Sequence, residues 1–290
     1  MQNQLIFWAS DLMGDNLSWG NRIHDNHEKS EAMTTPFSSL VEQLNHPDRN
    51  VRGQAALSLG SCGESGVLDA LLGALATEPD PFVREDMTWA VVRIGDSAVQ
   101  PVIDLLTHPD AGLRHQAAHI LGKIRDSRAI DPLIAVLGDE NPPVVLKAAF
   151  SLGQMAATQA IPALVALLGH PDSDVRTTLV KVLEGFGEAS LPALLAMLTH
   201  PKWQAREQAV DIVGQIGDAQ TLSSVVPLLT DERWEIRFSA VNAVAHLGNK
   251  ASIAATLTPI LHDPDSRVQS LAAEILARLK QPRKTKLPTI

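Results

Sequence analysis

The sequence predicts an all-α protein, a right-handed α-solenoid of about eight two-helix repeats, on the strength of three observations. The first is a text that returns about every 31 residues. It reads VRGQAALSLG from Val51, VREDMTWAVV from Val83, LRHQAAHILG from Leu113, VVLKAAFSLG from Val144, VRTTLVKVLE from Val175, AREQAVDIVG from Ala205, IRFSAVNAVA from Ile236 and VQSLAAEILA from Val268. The residue after the opening apolar one, Arg52, Arg84, Arg114, Val145, Arg176, Arg206, Arg237 and Gln269, recurs at intervals of 32, 30, 31, 31, 30, 31 and 32. A fixed period in this range signals stacked supersecondary units. The second is the apolar spacing between markers: Ala129, Ile130, Leu133, Ile134 and Leu137 fall at helical intervals, which predicts a first helix of roughly 11 residues in each repeat. The third is composition. Hydrophobic residues make up 45% of the 290 residues but aromatics only 4%, with no Tyr, so small aliphatic side chains must fill closely packed helices.

Each part of the repeat has a physical role. Pro101, Pro132, Pro162 and Pro192 are placed in the first turn of the first helix, where the missing N–H costs no intrahelical bond. Short polar turns follow: NHPD, TEPD, THPD, GDEN, GHPD, THPK, TDER and HDPD. Their Asp, Asn and Pro residues stop one helix and cap the next. Small residues in the second helix, such as Ala55, Ala56, Ala117, Ala118, Ala148 and Ala149, let neighbouring helices approach. Gly63, Gly95, Gly187, Gly217 and Gly248 stand eleven residues after the marker, where a left-handed C-cap is expected; Arg125 and Ala156 depart from the pattern.

Helix, polar turn, second helix beginning V-R and a terminal G-D resemble the HEAT-repeat family, and in particular the short HEAT-like repeats of the phycobilisome (bilin) lyases and their relatives. The resemblance covers residues 36–280. Residues 1–35 match no repeat and are expected to be a flexible arm; Met33 offers an alternative start just before the first helix. Residues 281–290, QPRKTKLPTI, are expected to fray as a basic tail.

The formal charge of −9 argues against nucleic acid as a partner, and against the groove that resemblance to the HEAT-like alkylpurine glycosylases would require. MQNQLIFWAS lacks the basic and apolar regions of a signal peptide or membrane span. The single cysteine, Cys62, points to a cytoplasmic protein without a disulfide framework; near a helix end it reads as a small packing residue.

Six residues before each marker stand His46, Glu78, His108, Asp139, His170, His200, Asp231 and Asp263. Equivalent positions on stacked helices lie about 10 Å apart, too far to share one ion, so capping is the expected role and no metal is assigned. The arginine column reads as an internal ladder to carbonyls or carboxylates of the adjacent turn. Deoxyhypusine hydroxylase, a HEAT-like di-iron enzyme, holds its metals with His-Glu pairs at these helix starts. The matching pairs here run Gly53-Gln54, Glu85-Asp86, His115-Gln116, Leu146-Lys147, Thr177-Thr178, Glu207-Gln208, Phe238-Ser239 and Ser270-Leu271, and none is His-Glu.

Function is expected where repeats differ. Positions one, two, five and nine after the marker should face outward on the concave side. They supply Glu85, Asp86, Trp89 and Arg93, then His115, Gln116, His119 and Lys123, then Leu146, Lys147, Phe150 and Gln154. Trp89, His119 and Phe150 are predicted to align as one column, with Glu85, His115 and Leu146 beside it, as a partner-binding surface. Trp203 and Trp234, three before the marker in repeats six and seven, are a secondary contact or a staple of each helix start. The resulting expectation is a non-catalytic scaffold binding a protein or peptide, without cofactor or membrane. The alternative, carried by the family resemblance, is a bilin-lyase-like protein that binds a linear tetrapyrrole and attaches it to or detaches it from an apoprotein.

Overall fold

In the computed structural model, which describes residues 37–62 and 65–280, helices alternate as the repeat text demands. Two units are distinguished, Met1–Met155 and Ala156–Ile290, and each contains four helix pairs. In the first unit these are α1 (Phe37–Gln43) with α2 (Arg49–Cys62), α3 (Leu68–Thr77) with α4 (Pro81–Ile94), α5 (Asp96–Asp104) with α6 (Ala111–Ile124), and α7 (Ile130–Val136) with α8 (Pro142–Gln154). The second unit has α9 (Ile161–Ala166) with α10 (Ser173–Phe186), α11 (Leu191–Met197) with α12 (Trp203–Ile216), α13 (Leu222–Val225) with α14 (Trp234–Leu247), and α15 (Lys250–Leu257) with α16 (Ser266–Lys280). The expected arm at residues 1–35, the tail at 281–290 and the cap at Gly63 lie outside the described residues.

The second helices pack on one another through their smallest residues. A Cβ built on Gly60 of α2 would overlap the backbone of Ala90 on α4, and one on Gly122 of α6 would overlap Ser151 of α8. Buried Ser151 uses that proximity to donate its Oγ proton to the carbonyl of Ala118, 2.8 Å away. Around these contacts Leu59, Met87, Ile120, Leu121 and Leu152 lose essentially all solvent exposure, the main favourable term in stacking the repeats.

The first helices differ from the 11-residue expectation. Most are short α-segments entered through a 3-10 turn, such as Ser127–Ala129 before α7. Pro132, Pro162 and Pro192 therefore stand two residues, one residue and one residue into α7, α9 and α11. Pro101 does not: α5 begins at Asp96 with no 3-10 entry, which leaves Pro101 inside the helix. The missing entry turn extends α5 toward its N-terminus past the proline.

The C-cap expectation needs the same adjustment. Gly217 takes the left-handed conformation, and so do Arg125 (φ 59°, ψ 34°) and, by its φ of 51°, Ala156. Gly95 and Gly187 combine positive φ with ψ of −131° and −136°, whereas Gly248 is extended at φ −87°. The path of the chain, more than the residue type, sets the backbone here. Cys62 is the last residue of α2 and is exposed, donating its thiol proton to the carbonyl of Ser58; it does not pack in the core.

Candidate functional site

Two internal columns settle which polar residues serve the scaffold. At all eight turns the residue six before the marker accepts a hydrogen bond from the backbone N–H two residues on. His46, His108, His170 and His200 do so through Nδ1, at 3.0, 3.0, 3.0 and 3.1 Å. Glu78, Asp139, Asp231 and Asp263 do so through a carboxylate oxygen, at 2.9, 2.9, 2.9 and 2.8 Å. Where this residue is acidic it also receives the marker arginine of the preceding repeat. Arg52 binds Glu78, Arg114 binds Asp139, Arg206 binds Asp231 and Arg237 binds Asp263, each through Nε and Nη2. The same arginines donate Nη1 to two carbonyls of their own turn, as Arg114 does to His108 and Pro109. These guanidiniums hold the carboxylates of Glu78, Asp139 and Asp263 below their ordinary range.

The ladder is interrupted in the first unit. His108 stands where Arg84 needs a carboxylate, and Arg84 makes no ion pair among the described residues; two markers later, on α8, Val145 replaces arginine altogether. Between these interruptions lie the residues expected to form a site. On α4, Glu85 places one oxygen 3.2 Å from His119 Nε2 and the other 3.1 Å from Lys123 Nζ. Lys123 lies over the Trp89 ring, 4.3 Å from its centroid, and Trp89 itself is 44% exposed. From α8, Lys147 approaches His119 Nδ1 at 3.5 Å and the Phe150 ring at 5.6 Å. The chain of contacts runs Trp89, Lys123, Glu85, His119, Lys147, Phe150 across three helices. Leu146 and His115 are half-buried beside it.

One expected outward residue is misplaced. Lys123 keeps only 9% of its side-chain exposure, its ammonium lying over the Trp89 ring and reaching Glu85. Of the other long residues expected outward, Arg93 is exposed and Glu85, Gln116, Lys147 and Gln154 are half-buried. Gln116 turns toward α4, donating to Thr88 Oγ1 at 2.6 Å, and Thr88 in turn donates to the carbonyl of Arg84.

The electrostatics follow from this packing. The hydrogen bond from His119 and the nearby Lys123 lower the Glu85 carboxyl to about 2. Burial lowers His119 against the pull of Glu85, so the imidazole is neutral: Nε2–H donates to Glu85 while Nδ1 accepts from the Lys147 ammonium. His115 is pushed down to about 4 by burial, with Lys147, His119 and Arg84 adding to the effect. Burial also lowers the Lys147 ammonium. A cavity of about 270 Å³ opens among Pro81, Arg84, Glu85, Gly112, His115, Gln116, His119 and Lys147.

The second unit carries an acidic cluster instead. Burial raises Glu184 and Glu207, with the field of Asp211 adding to both, and burial raises Asp211 itself. Asp211 occupies in α12 the place that Trp89, His119 and Phe150 hold in α4, α6 and α8. Sequence reasoning passed over this cluster because its members come from different positions in consecutive repeats. Trp203 and Trp234 are the first residues of α12 and α14, and each is half-buried under an arginine of the following repeat. Arg233 lies 4.6 Å from the Trp203 centroid and Arg267 3.3 Å from that of Trp234, which also meets Phe238 edge-on at 6.3 Å.

The family model for HEAT repeats matches residues 33–92, 87–150, 130–210 and 191–277, nearly the whole of the helical array. The chain belongs to the HEAT-repeat family. As a HEAT-repeat protein it has the all-α, α-solenoid class of fold that the period predicts. Its solved relatives are distant. Importin beta is 15% identical with a TM-score of 0.54, over 83% of this chain and 42% of that one. The CpcE and CpcF complex of phycocyanin lyase from Nostoc sp. PCC7120 is 21% identical over 84% and 95%, with a TM-score of 0.39. Human deoxyhypusine hydroxylase in complex with glycerol is 17% identical over 83% and 96%, with a TM-score of 0.36. No curated protein matches the sequence significantly. Among the described residues no helix is long and apolar enough to cross a membrane.

Proposed function

We propose that this HEAT-repeat protein is a binding scaffold whose partner, a protein or peptide, docks on the second-helix face of the first unit. The observation that carries the reading is the exposed Trp89, joined through Lys123, Glu85, His119 and Lys147 to Phe150 on neighbouring helices. A large aromatic left in water costs stability that a scaffold alone does not need, and fixed aromatics beside cations are typical anchors of protein interfaces. Arg52, Arg114, Arg206 and Arg237, by contrast, are saturated by partners within the array. Glu85, Trp89, His115, His119, Leu146 and Phe150 form the contact surface in this reading, with Trp203 and Trp234 as secondary contacts on the second unit.

A photo-crosslinking amino acid at position 89 or 150, introduced in the cells that produce the protein, tests it. The same partner should be captured from both positions and be absent when the crosslinker replaces exposed Gln100 on α5. The purified partner should then bind about tenfold more weakly to the Trp89→Ala, Phe150→Ala double variant. Capture from Gln100 alone, or unaltered affinity in the double variant, would overturn the assignment.

A further inference from the structure

The interruption of the arginine ladder leaves two cations facing one small cavity. Arg84 is a ladder residue without its carboxylate, because His108 stands where Asp139 stands for Arg114. Lys147 comes from the opposite wall, on α8, and among the described residues it forms no ion pair: its contacts are the neutral His119 nitrogen and the Phe150 ring. Between them His115 has no hydrogen-bond partner among the described residues. Glu85, the carboxylate on this wall, is already bound to His119 and Lys123. Two cations thus share the cavity with one carboxylate, Glu85, which also serves His119 and Lys123, although the chain as a whole is acidic. Burial is the first cause that lowers both His115 and Lys147; the fields of Lys147, His119 and Arg84 add to it at His115, whereas Glu85 opposes it at Lys147.

The dimensions narrow the occupant further. About 270 Å³ leaves room for one side chain of a larger partner. Trp89 and Phe150 stand outside the lining, further along the helices that carry Arg84 and Lys147, and offer apolar surface for the residues adjoining that side chain. We infer that the cavity between α4, α6 and α8 receives an aspartate or glutamate side chain of an extended, otherwise apolar segment of the partner, its carboxylate held between Arg84 and Lys147 over His115. Arg84 is exposed and Lys147 half-buried, and two such cations lining one small cavity favour a charge-assisted contact with a carboxylate. This inference rests on the scaffold reading and adds the chemistry of the partner to it.

The test uses the full chain and a synthetic decapeptide of Leu with a single central Glu flanked by Ser for solubility, acetylated and amidated. Binding is followed by the imidazole NMR signals of His115 and by titration calorimetry. The Glu peptide should shift the His115 signals and bind at least about tenfold more tightly than its Gln counterpart. Affinity should fall by a similar factor in Arg84→Gln combined with Lys147→Gln, be largely retained in Lys147→Arg, and be unchanged in Lys181→Gln on the second unit. Equal binding of the Gln peptide, indifference to the double substitution, or binding of a Gln peptide only when its C-terminus is a free carboxylate would overturn the inference. So would displacement by inorganic phosphate at concentrations that leave the ionic strength unchanged. If crosslinking at positions 89 and 150 captures a partner but the Glu peptide fails, the inference falls and the scaffold reading stands; if no partner is captured while the Glu peptide binds as expected, the scaffold reading alone fails.

Discussion

Arg237 Nε lies 2.7 Å from Asp263 Oδ2 and its Nη2 lies 2.8 Å from Oδ1, a two-pronged ion pair joining consecutive repeats with 10% and 4% of the two side chains exposed. The pair also holds the Asp263 turn, since Oδ1 accepts from the Asp265 N–H. Asp263→Asn keeps the turn acceptor but leaves a guanidinium without its charge partner. The expected cost is about 2 kcal/mol, at the low end for breaking a shielded pair because water still reaches the arginine. Chemical denaturation of the two proteins at neutral pH measures it, and an unchanged midpoint would contradict the ladder as a stabilising device.

The carboxylates of the ladder also set an acid limit. Glu78, Asp139 and Asp263 are held below their ordinary values chiefly by hydrogen bonds from Arg52, Arg114 and Arg237. Their contribution is therefore complete above the unfolded-state values near 4 and is lost as pH falls through the lower folded values. Stability should drop steeply below about pH 4, and Asp263→Asn should make that drop shallower. Denaturant midpoints between pH 5 and pH 2.5 provide the comparison.

The histidines of the candidate site act in a different window. His115 is lowered to about 4 and His119 is lowered too, both first by burial. The unfolded chain then takes up protons as pH falls from about 6.5, before the folded protein does. Stability present above that pH is progressively lost down to about 4. His115→Gln should flatten this part of the profile without altering the limb below it. Facing His115 are Arg84 and Glu85 from α4, His119 from its own helix and Lys147 from α8. Glu85→Gln should move His119 further down, since Glu85 is the group that raises it; imidazole NMR titration reads this directly.

Glycine positions within the helices divide into two kinds. Gly60 abuts the Ala90 backbone, so Gly60→Ala should force α2 and α4 apart at a cost of about 1–3 kcal/mol, outweighing the gain in helix propensity. Gly73, in the first helix α3, has open space around it, and Gly73→Ala should stabilise by roughly 0.5–1 kcal/mol. Thermal unfolding of both variants distinguishes close packing from simple helix propensity.

The helix pairs and the ladder were legible in the sequence because their residues meet equivalent neighbours in several repeats, so each physical requirement is written more than once. Arg52, Arg114, Arg206 and Arg237 all appear with an acid 25 or 26 residues later. The site was legible only as exceptions: Trp89, His119 and Phe150 stood out as a column, but periodicity could not show that Lys123 folds down onto Trp89 to reach Glu85. Pro101 was misplaced because nothing in the local text marks α5 as lacking its 3-10 entry. Arg125 and Ala156 adopt positive φ without glycine, a strain imposed by the repeat and not by their own propensity. The release of Arg84 follows from reading two columns together, the marker and the turn residue of the next repeat.

That pairing of columns makes a constructive prediction. Arg176 donates Nη1 to the carbonyls of His170 and Pro171, as ladder arginines do, but the next turn offers His200 in place of a carboxylate. The His200 side chain accepts the Lys202 N–H, a bond an aspartate makes equally well at Asp139, Asp231 and Asp263. His200→Asp should therefore keep the turn and supply the missing acceptor for Arg176 Nε and Nη2. A charge-assisted, partly shielded pair of this kind should add about 1 kcal/mol, which for a repeat array of this size corresponds to a rise in Tm of roughly 2–4 °C. The gain should vanish in an Arg176→Gln background, where the new carboxylate has no guanidinium to meet. A double-mutant cycle of the two substitutions isolates the coupling; an equal gain in both backgrounds would show that the aspartate acts on the turn alone and that the ladder needs more than its two columns.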